Sequence, residues 1–400
     1  MTLHFDLYQT VAMAVVVYFV GSVLKKHFRI LQKYCIPAPV IGGIIFAVLA
    51  LVLNTTGVLY FEMDETMRTV FQTLFFTSVG YTASLKLLKK GGLQVIIFVV
   101  VATVLVVGQD LLGILSANLF GLDSKLGLCV GSISMVGGHG TASSFGPMLE
   151  ADFGLAGADA LANAAATFGL VMGGLIGGPV AKTLINKHGL HTDVVTTDHG
   201  YKDDFSEEEL SDSLDSDNLF RAFCMLFLAA GIGSVLSFLI QKTGVKFPSY
   251  IGAMLAAAII RNLSDAASIN FNTMENVISM LGNACLSLFL SMALMSLKLW
   301  ELASLAVPMV VMLIIQTIFM ALFAYFFTFR IMGRDYEAAV MASASCGFGM
   351  GATPNAIANM QAITNIYGPA PRAFFIVPLV GSLFIDFING SVLTFLVNIL

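Results

Sequence analysis

The sequence predicts an all-α polytopic membrane protein, built as two inverted-topology repeats of five transmembrane helices that each carry a re-entrant hairpin loop. Three observations lead to this fold class: the composition, the distribution of basic residues, and a constant offset between the two halves. Of the 400 residues, 57% are hydrophobic and only 11% are charged, and the mean hydropathy is +0.87. Because a soluble domain carries about 25% charged residues, long apolar runs here indicate membrane-spanning helices.

Ten apolar segments are predicted to span the membrane. The first begins near Leu7 and is longer than the apolar core of a signal peptide, with no small-residue cleavage site behind it, so we interpret it as a retained span. The five cysteines are scattered without a CxxC pair, which argues against a disulfide framework or a zinc site. The predicted spans cover about residues 6–24, 38–53, 68–85, 93–116 and 160–182, then 219–241, 249–265, 276–297, 303–328 and 371–398.

A polar segment separates the two groups of spans. Residues 187–218 hold ten of the 25 acidic residues and few large apolar ones, which is typical of a solvated linker without fixed structure. The predicted organisation is therefore an N-terminal repeat at 1–186, an acidic cytoplasmic linker at 187–218, and a C-terminal inverted repeat at 219–400.

The basic residues predict the orientation in the membrane. With the N-terminus outside, only five of the 20 Lys and Arg residues lie at outer ends of the spans, and the remainder lie at inner ends. Cytoplasmic loops carry an excess of Lys and Arg, so both termini are predicted outside and the linker inside. The five at outer ends are Arg68, Lys125, Lys242, Lys246 and Lys298.

A constant offset of 212 residues aligns the two halves of the chain. The tripeptide "SLK" at 84–86 falls on "SLK" at 296–298, Gly121 and Asp123 fall on Gly333 and Asp335, and Thr141 falls on Thr353. Five spans per half is an odd number, so the second copy must enter the membrane upside down. Such inverted repeats are a signature of secondary transporters.

Two glycine-rich segments interrupt the apolar pattern at equivalent places in the two halves. They are "GSISMVGGHGTASSFG" at 131–146 and "CGFGMGATPNAIANM" at 346–360. We predict re-entrant loops at about 127–152 and 338–362, which enter from opposite sides and meet near the midplane. Irregular backbone at this depth is tolerated only when it is buried in protein or lines a cavity. The alternative interpretation is that both are short polar loops whose glycines serve only tight packing.

The loop residues have predicted local roles. A hairpin tip needs glycine where φ is positive, and free N–H groups at a half-helix start suit a carboxylate, whereas free carbonyls suit sodium. Thr141 and Thr353 are suitable helix-capping residues, and Pro354 suits the first helical turn.

At this point the motifs resemble those of a known family. The pair "GGHGT" and "GFGMGATP", followed by "IANMQAIT", with "IPAPVIGG" near the start and "SLSLFLSMALMSLKLWELASLA" at 286–306, is similar to the bacterial glutamate:sodium symporter family. The resemblance covers essentially the whole chain. It implies sodium-coupled uptake of glutamate, two re-entrant loops, a homodimer, and elevator-like movement of a transport unit against a scaffold. It also implies site residues within 137–141 and 347–354.

Polar residues inside the predicted spans extend the candidate site. Asp386 and Asn389 share a helix face at i, i+3, and Asn163 and Thr167 do so at i, i+4; intramembrane ionisable groups are usually functional. Asp386 could coordinate sodium, receive a substrate ammonium group, or simply be satisfied by neighbours. The predicted substrate-binding residues are Gly138, His139, Gly140, Thr141, Gly351, Ala352, Thr353, Pro354, Asn355, Asn163, Thr167 and Asp386. The predicted sodium-site residues are Ser132, Ser134, Gly137, Gly347, Gly349 and Asn389.

Two further polar residues are open to more than one interpretation. Asp110 is expected near a helix end or at a dimer seam. His139 lies within a predicted membrane segment, where a neutral histidine held by loop hydrogen bonds and a proton-coupling residue are the alternatives.

The predicted function is a sodium-coupled secondary transporter that imports L-glutamate across the bacterial inner membrane by alternating access. Carriage of aspartate, malate or citrate is an alternative, because a glycine-rich loop does not distinguish these substrates. An ion channel is another alternative, since re-entrant loops also form selectivity filters. No GxSxG, HExxH or Walker A pattern points to an enzyme. Membrane lipid and a second copy of the chain are the expected partners, with no nucleic acid and no cofactor besides Na⁺.

Overall fold

The computed structural model describes residues 2–33, 36–86, 92–192, 215–267, 271–302 and 305–400. Most of the predicted linker therefore lies outside the described residues. The first half contains the strands β1 (Thr2–Phe5) and β2 (Tyr60–Met63) and the helices α1 (Leu7–His27), α2 (Arg29–Lys33), α3 (Ala38–Thr55), α4 (Thr66–Thr82), α5 (Gly92–Leu119), α6 (Ser124–Val130), α7 (Gly138–Phe153) and α8 (Ala158–His188).

The second half is also mostly helical. It contains α9 (Ser216–Gln241), α10 (Tyr250–Ala266), α11 (Asn272–Met295), a 3₁₀ turn (Leu299–Leu302), α12 (Ala306–Leu322), α13 (Tyr336–Gly349), α14 (Thr353–Tyr367), α15 (Pro371–Leu383) and α16 (Ile385–Ile399). Helix α12 continues through a π-helical turn (Phe323–Thr328) into a last turn (Phe329–Ile331).

Each predicted span falls on helical structure. Seven of the described helices are long and apolar enough to cross a membrane, and α15 with α16 counts as an eighth if that bent pair is one span. Helices α4 and α10 have 17 residues each, the lower limit of the length that crosses the hydrocarbon core.

The last predicted span, 371–398, is a bent pair of helices. The chain bends by 42° between Pro371–Gly381 and Ile385–Ile399. Pro378 inside α15 lacks the N–H of a regular helical bond, so this helix is weakened just before the bend.

Helix boundaries follow the constant offset that aligns the two halves. Helix α3 begins at Ala38, and α10 begins at Tyr250, the position onto which the offset moves Ala38. The matched residues Gly121 and Gly333 both have positive φ, 69° and 117°. The matched Asp123 and Asp335 are both N-caps, and their carboxylates accept the N–H of Lys125 and Ala338. The sequence matches therefore coincide with equivalent backbone roles, a turn and a helix cap.

The helices pack into two groups. The six-helix group consists of α1, α3 and α4 from the first half and α9, α10 and α11 from the second. The loop group consists of α5 to α8 and α12 to α16, and it contains most of the largest hydrophobic core. The two groups meet where Phe76 of α4 stacks on Tyr250 of α10, with ring centroids 3.7 Å apart, beside the loop group.

The two ends of the molecule differ. At the linker end, α8 ends at His188 and α9 begins at Ser216. At the far end, β1 pairs in parallel with β2 just before α4. Also at the far end, the Asn398 side chain bonds the backbone of Lys246, whose Nζ donates to the Asp152 carbonyl at 2.8 Å. Both chain termini therefore lie at the end opposite the linker.

Candidate functional site

The first glycine-rich segment contains a non-helical stretch at 131–137, between α6 and α7. Its turns are held by backbone bonds from Gly137 N to Ser132 O at 2.9 Å and from Gly138 N to Ser134 O at 3.1 Å. Gly138 begins α7 with φ of 56°, a conformation that costs glycine little. A glycine with positive φ therefore lies at this break, as predicted, while its place at the tip of a re-entrant loop stays a prediction.

The second glycine-rich segment contains a shorter break at 350–352, between α13 and α14. Ala352 is extended, and its N–H donates to the Gly347 carbonyl at 3.2 Å. Pro354 lies in the first turn of α14, as predicted. Gly347 lies within α13, and Gly349 is its last residue, directly before the break. A Cβ on Gly347 would lie 2.5 Å from Ala356 N, so this glycine allows α13 and α14 to pack closely.

The predicted capping roles of the two threonines are wrong. Helix α7 begins three residues before Thr141, after Gly137, and Thr353 is itself the first residue of α14, after Ala352. Neither Gly137 nor Ala352 makes a side-chain cap bond. Each threonine hydroxyl is thus not engaged in capping its helix.

The two breaks meet at one cavity. A Cβ on Gly138 would lie 2.8 Å from the Gly351 carbonyl oxygen, so the breaks are in van der Waals contact. The cavity has a volume of about 450 Å³, within the usual range for small-molecule sites. Of the predicted substrate-binding residues, those that line it are Gly138, His139, Gly140, Thr141, Gly351, Ala352, Thr353, Pro354, Asn355 and Asp386.

The remaining two predicted substrate-binding residues, Asn163 and Thr167, lie behind the lining. Thr167 Oγ1 is 2.9 Å from His139 Nε2, and Ser143 Oγ donates to Asn163 Oδ1 at 2.7 Å. Both residues therefore position α7 and its histidine from α8. The hydrogen bond to Thr167 agrees with the interpretation of His139 as a histidine held by its neighbours.

Helix ends and one carboxylate give the cavity its electrostatic character. The N-termini of α7 and α14 both line it, and the first N–H groups of a helix lack partners within that helix. They carry the positive end of the helix dipole. Asp386, in the first turn of α16, is the only acidic residue among the described lining residues, which include no Lys or Arg.

Most of the predicted sodium-site residues lie just outside the cavity. Only Gly137 lines it. Ser134 Oγ donates to the Cys129 carbonyl and, at 2.7 Å, to the Ala162 carbonyl. The Gly349 carbonyl accepts from Gln109 Nε2 at 2.6 Å. Ser132 and Asn389 are in contact, since Asn389 Nδ2 donates to the Ser132 carbonyl at 3.2 Å.

The cavity lies between the two groups and toward the linker end. Its lining from the six-helix group comes from Pro37, from residues 75–82 of α4 and from residues 279–290 of α11. The α4 residues lie in the half of that helix nearer the linker end, whereas 279–290 is the middle of α11. The far-end half of α4 contributes no residue to the described lining.

At the far end, polar bonds join the two groups. Arg68 of α4 donates to the Ser143 carbonyl at 3.1 Å and lies 3.6 Å from the Asp159 carboxylate. Its neighbour Gln72 donates to Ser144 Oγ at 2.7 Å. Arg68 is only 5% exposed. The cavity is therefore closed off at the far end by these contacts.

Sequence reasoning missed Arg68 and Asp159 as a pair. The sequence places Arg68 only among the basic residues at outer ends, and nothing in it links Arg68 to Asp159. The equivalent positions in the other half are Met280 and Pro371, so the repeat gives no signal for this contact.

Known relatives match nearly the whole chain. A sodium/glutamate symporter family model matches residues 3–369. The chain is 40% identical to the sodium/glutamate symporter of Haemophilus influenzae over 395 residues, 98% of this chain and 97% of that one. It is 41% identical to the sodium/glutamate symporter of Escherichia coli over 390 residues, with the same coverage. A sodium/proton antiporter structure from Methanocaldococcus jannaschii aligns with a TM-score of 0.43 at 15% identity, over 99% of this chain and 96% of that one.

The family model spans most of the chain, and the identity to both curated relatives extends across nearly their full length. The resemblance seen in the sequence motifs is thereby confirmed. The chain belongs to the sodium/glutamate symporter family.

Proposed function

We propose that this chain imports L-glutamate together with sodium across the bacterial inner membrane, as a multi-pass transporter and not as an enzyme. The two curated relatives are named sodium/glutamate symporters. The observation that carries the proposal for this chain is the cavity between the two breaks. It presents two helix N-termini and one carboxylate to the same small space.

These groups complement glutamate atom by atom. Its two carboxylates suit the N-termini of α7 and α14, where N–H groups and the helix dipole favour anions. At the start of α14 the donor is the Thr353 N–H, because Pro354 has no N–H and the Asn355 N–H donates to the Ala352 carbonyl at 3.0 Å. The hydroxyls of Thr141 and Thr353, both in the lining, are additional donors. The ammonium group suits Asp386, because a charge-assisted hydrogen bond is stronger than a neutral one.

Sodium supplies the missing positive charge. Glutamate carries one net negative charge at neutral pH and would enter beside Asp386, so the site as a whole has an excess of negative charge. A sodium ion bound at carbonyls and hydroxyls of the breaks offsets that repulsion. Binding of the ion then raises the affinity for glutamate, and by linkage glutamate raises the affinity for the ion.

Alternating access is proposed to occur by movement of the loop group against the six-helix group. Two observations support an elevator-like movement: the cavity lies between the groups, and the polar contacts from Arg68 and Gln72 cross between them at the far end. The helix boundaries that match at a constant offset support an inverted repeat with two re-entrant loops. When only sodium or only glutamate is bound, the loop group should cross the membrane slowly, because an uncompensated charge is costly in the transition state of that movement.

The sidedness is proposed from the basic residues. The linker end is placed in the cytoplasm and both termini outside, so the described conformation has its cavity on the cytoplasmic side. Three further features stay predictions: the repeat boundaries at 1–186 and 219–400, the cytoplasmic linker between them, and the homodimer.

Asp386 favours glutamate over malate and citrate, whereas aspartate carries the same ammonium group and is not distinguished by this residue. Malate and citrate lack an ammonium group, so their binding would leave the Asp386 carboxylate beside further negative charge without compensation. The proposal is tested by uptake of labelled L-glutamate into vesicles that contain the purified protein, with and without an inward sodium gradient. We expect saturable, sodium-dependent uptake that unlabelled glutamate competes for better than malate or citrate. Glutamate uptake that is independent of the sodium gradient would contradict the proposal, and so would an ion flux far above roughly thousands of ions per second, which is typical of a channel.

A further inference from the structure

Behind the cavity, Asp110 of α5 is completely buried, with 0% of its surface exposed. Its two carboxylate oxygens contact a single residue: Oδ1 accepts the Ser132 N–H at 2.8 Å, and Oδ2 accepts the Ser132 hydroxyl at 2.9 Å. Among the residues that the structure describes, no Lys, Arg or His lies within ion-pair distance of Asp110. The Asp110 side chain must therefore either be protonated or, if it is ionised, bind a cation, since burial of an unpaired charge is costly.

Asn389 reaches the same residue from the other half of the chain. Its Nδ2 donates to the Ser132 carbonyl at 3.2 Å, and the side chain is 1% exposed. Its Oδ1 is buried and has no hydrogen-bond donor among the described residues. Buried polar atoms are nearly always satisfied, so this oxygen is an acceptor that a small cation would complete.

The backbone at the first break is shaped around Asp110. A Cβ on Gly131 would lie 2.8 Å from Asp110 Oδ1, so glycine allows the chain to pass directly over the carboxylate. The residues that follow are non-helical up to Gly137. Unwound backbone of this kind offers carbonyl oxygens to sodium in transporters.

We infer that a sodium ion binds behind the cavity with Asp110 as its charged ligand, together with the Ser132 hydroxyl and the Asn389 amide oxygen. This inference rests on the proposed function and deepens it by naming the charged group of the ion site. All three ligands are oxygens, as hard cations require. The ion neutralises Asp110 and occupies the unsatisfied oxygen of Asn389.

The position of this site explains how the ion and glutamate are coupled. The Ser132 carbonyl accepts the Gly137 N–H at 2.9 Å, and Gly137 immediately precedes the N-terminus of α7. An ion that fixes Ser132 therefore fixes the turn that presents the first N–H groups of α7 to the substrate. Sodium and glutamate thus bind to opposite sides of one short segment, and each stabilises the conformation that the other requires.

The test uses Asp110→Asn in the full-length protein. The amide has nearly the same shape and its oxygen can still accept the Ser132 N–H. The charge is lost, and the amide NH2 faces the Ser132 hydroxyl, which must then accept instead of donate. Two quantities are measured: the sodium dependence of labelled glutamate uptake in vesicles, and the thermal stabilisation of purified protein by sodium relative to choline without glutamate. We expect the half-saturating sodium concentration to rise at least about tenfold and the stabilisation by sodium to fall clearly below that of the wild type. The matched control is Asp152→Asn, an exposed carboxylate near the end of α7, which should leave both quantities unchanged.

Unchanged sodium dependence and unchanged stabilisation in Asp110→Asn would overturn the inference, because Asp110 would then be a protonated structural residue. If that variant does not fold, Asn389→Leu gives the decision: we expect weaker sodium dependence, and wild-type behaviour would overturn the inference. Wild-type protein that takes up glutamate without sodium would instead refute the proposed function. The two failures are therefore distinguishable.

Discussion

Replacement of Asp386 by Asn tests the proposed ammonium site. Asp386 is the only acidic residue in the described lining of a cavity of about 450 Å³, so no neighbouring carboxylate can take over its role. The amide keeps the shape of the side chain but loses the charge that would bind the glutamate ammonium group. A hydrogen bond to a charged group contributes about 1.5–3 kcal/mol net. Since about 1.4 kcal/mol corresponds to a factor of ten, glutamate affinity should fall by roughly 10- to 150-fold.

The assay is uptake of labelled glutamate at saturating sodium, with glutarate as a competitor. Glutarate has both carboxylates of glutamate but no amino group, so Asp386→Asn should weaken glutamate far more than glutarate. In the variant, glutarate should therefore inhibit the uptake of labelled glutamate at a lower concentration relative to the KM for glutamate than it does in the wild type. Asp152→Asn, an exposed carboxylate, is the control for the loss of one charge. If Asp386→Asn keeps the wild-type KM for glutamate and the wild-type discrimination against glutarate, the ammonium does not bind at Asp386.

Three further substitutions test other parts of the account. Thr353→Val removes a hydroxyl donor from the cavity and should raise the KM for glutamate about 3- to 10-fold, measured by uptake, while the protein stays folded. Arg68→Ala leaves Asp159 buried without its cation and should lower the free energy of unfolding by about 3–5 kcal/mol, measured by denaturant unfolding. In the same variant, maleimide should label a cysteine at Ser279, in the cavity lining, more slowly. The reason is that the far-end contacts no longer favour the described conformation, in which the cavity is open to the linker end. Gly138→Ala places a side chain at φ of 56° and 2.8 Å from a carbonyl, and should abolish most uptake, measured at matched protein levels in the membrane.

Each of these predictions has a contradicting outcome. Wild-type uptake by the Thr353 variant would remove that hydroxyl from the binding site. Fast labelling at Ser279 in the Arg68 variant would mean that the far-end contacts do not hold the two groups in place; a cysteine at the exposed Ser216 is the reference for labelling rate. Normal uptake by Gly138→Ala would show that the tight turn at the first break is not required.

The helices could be predicted because a membrane span leaves a strong local signal. A long unbroken run of apolar residues needs no knowledge of tertiary contacts, and the helices lie where the apolar runs lie. The constant offset between the halves could be found because it preserves residues with a fixed backbone role. Asp123 and Asp335 cap equivalent helices, and Gly121 and Gly333 form equivalent turns with positive φ.

The residues of the breaks were predicted, but their local conformation was not. Gly347 resembled a helix breaker, yet it lies inside α13, because close packing against α14 requires glycine there and tertiary contacts outweigh the low helix propensity. Gly349 is the last residue of α13, next to the break. Thr141 resembled a cap, yet α7 already begins at Gly138, which can adopt a positive φ. The sequence identifies a weak point in a helix but not the residue at which the chain turns.

Contacts between segments that are distant in the chain could not be predicted from the sequence. The bonds from Arg68 to Ser143 and Asp159 join helices that are far apart in the chain, and neither Arg68 nor Asp159 has a counterpart in the other half. Asp110 was expected near a helix end or at a dimer seam, but it lies inside α5, and its position against Ser132 depends on how α5 packs on the first break. Asn163 and Thr167 were expected in the site, and the structure places them one layer behind it.

The most direct test is a density map of the full-length protein in lipid, determined with sodium and L-glutamate bound. The account predicts glutamate density between residues 138–141 and 351–355, with the two hairpins reaching it from opposite faces of the bilayer. Glutamate bound elsewhere, or both hairpins entering from the same face, would contradict it.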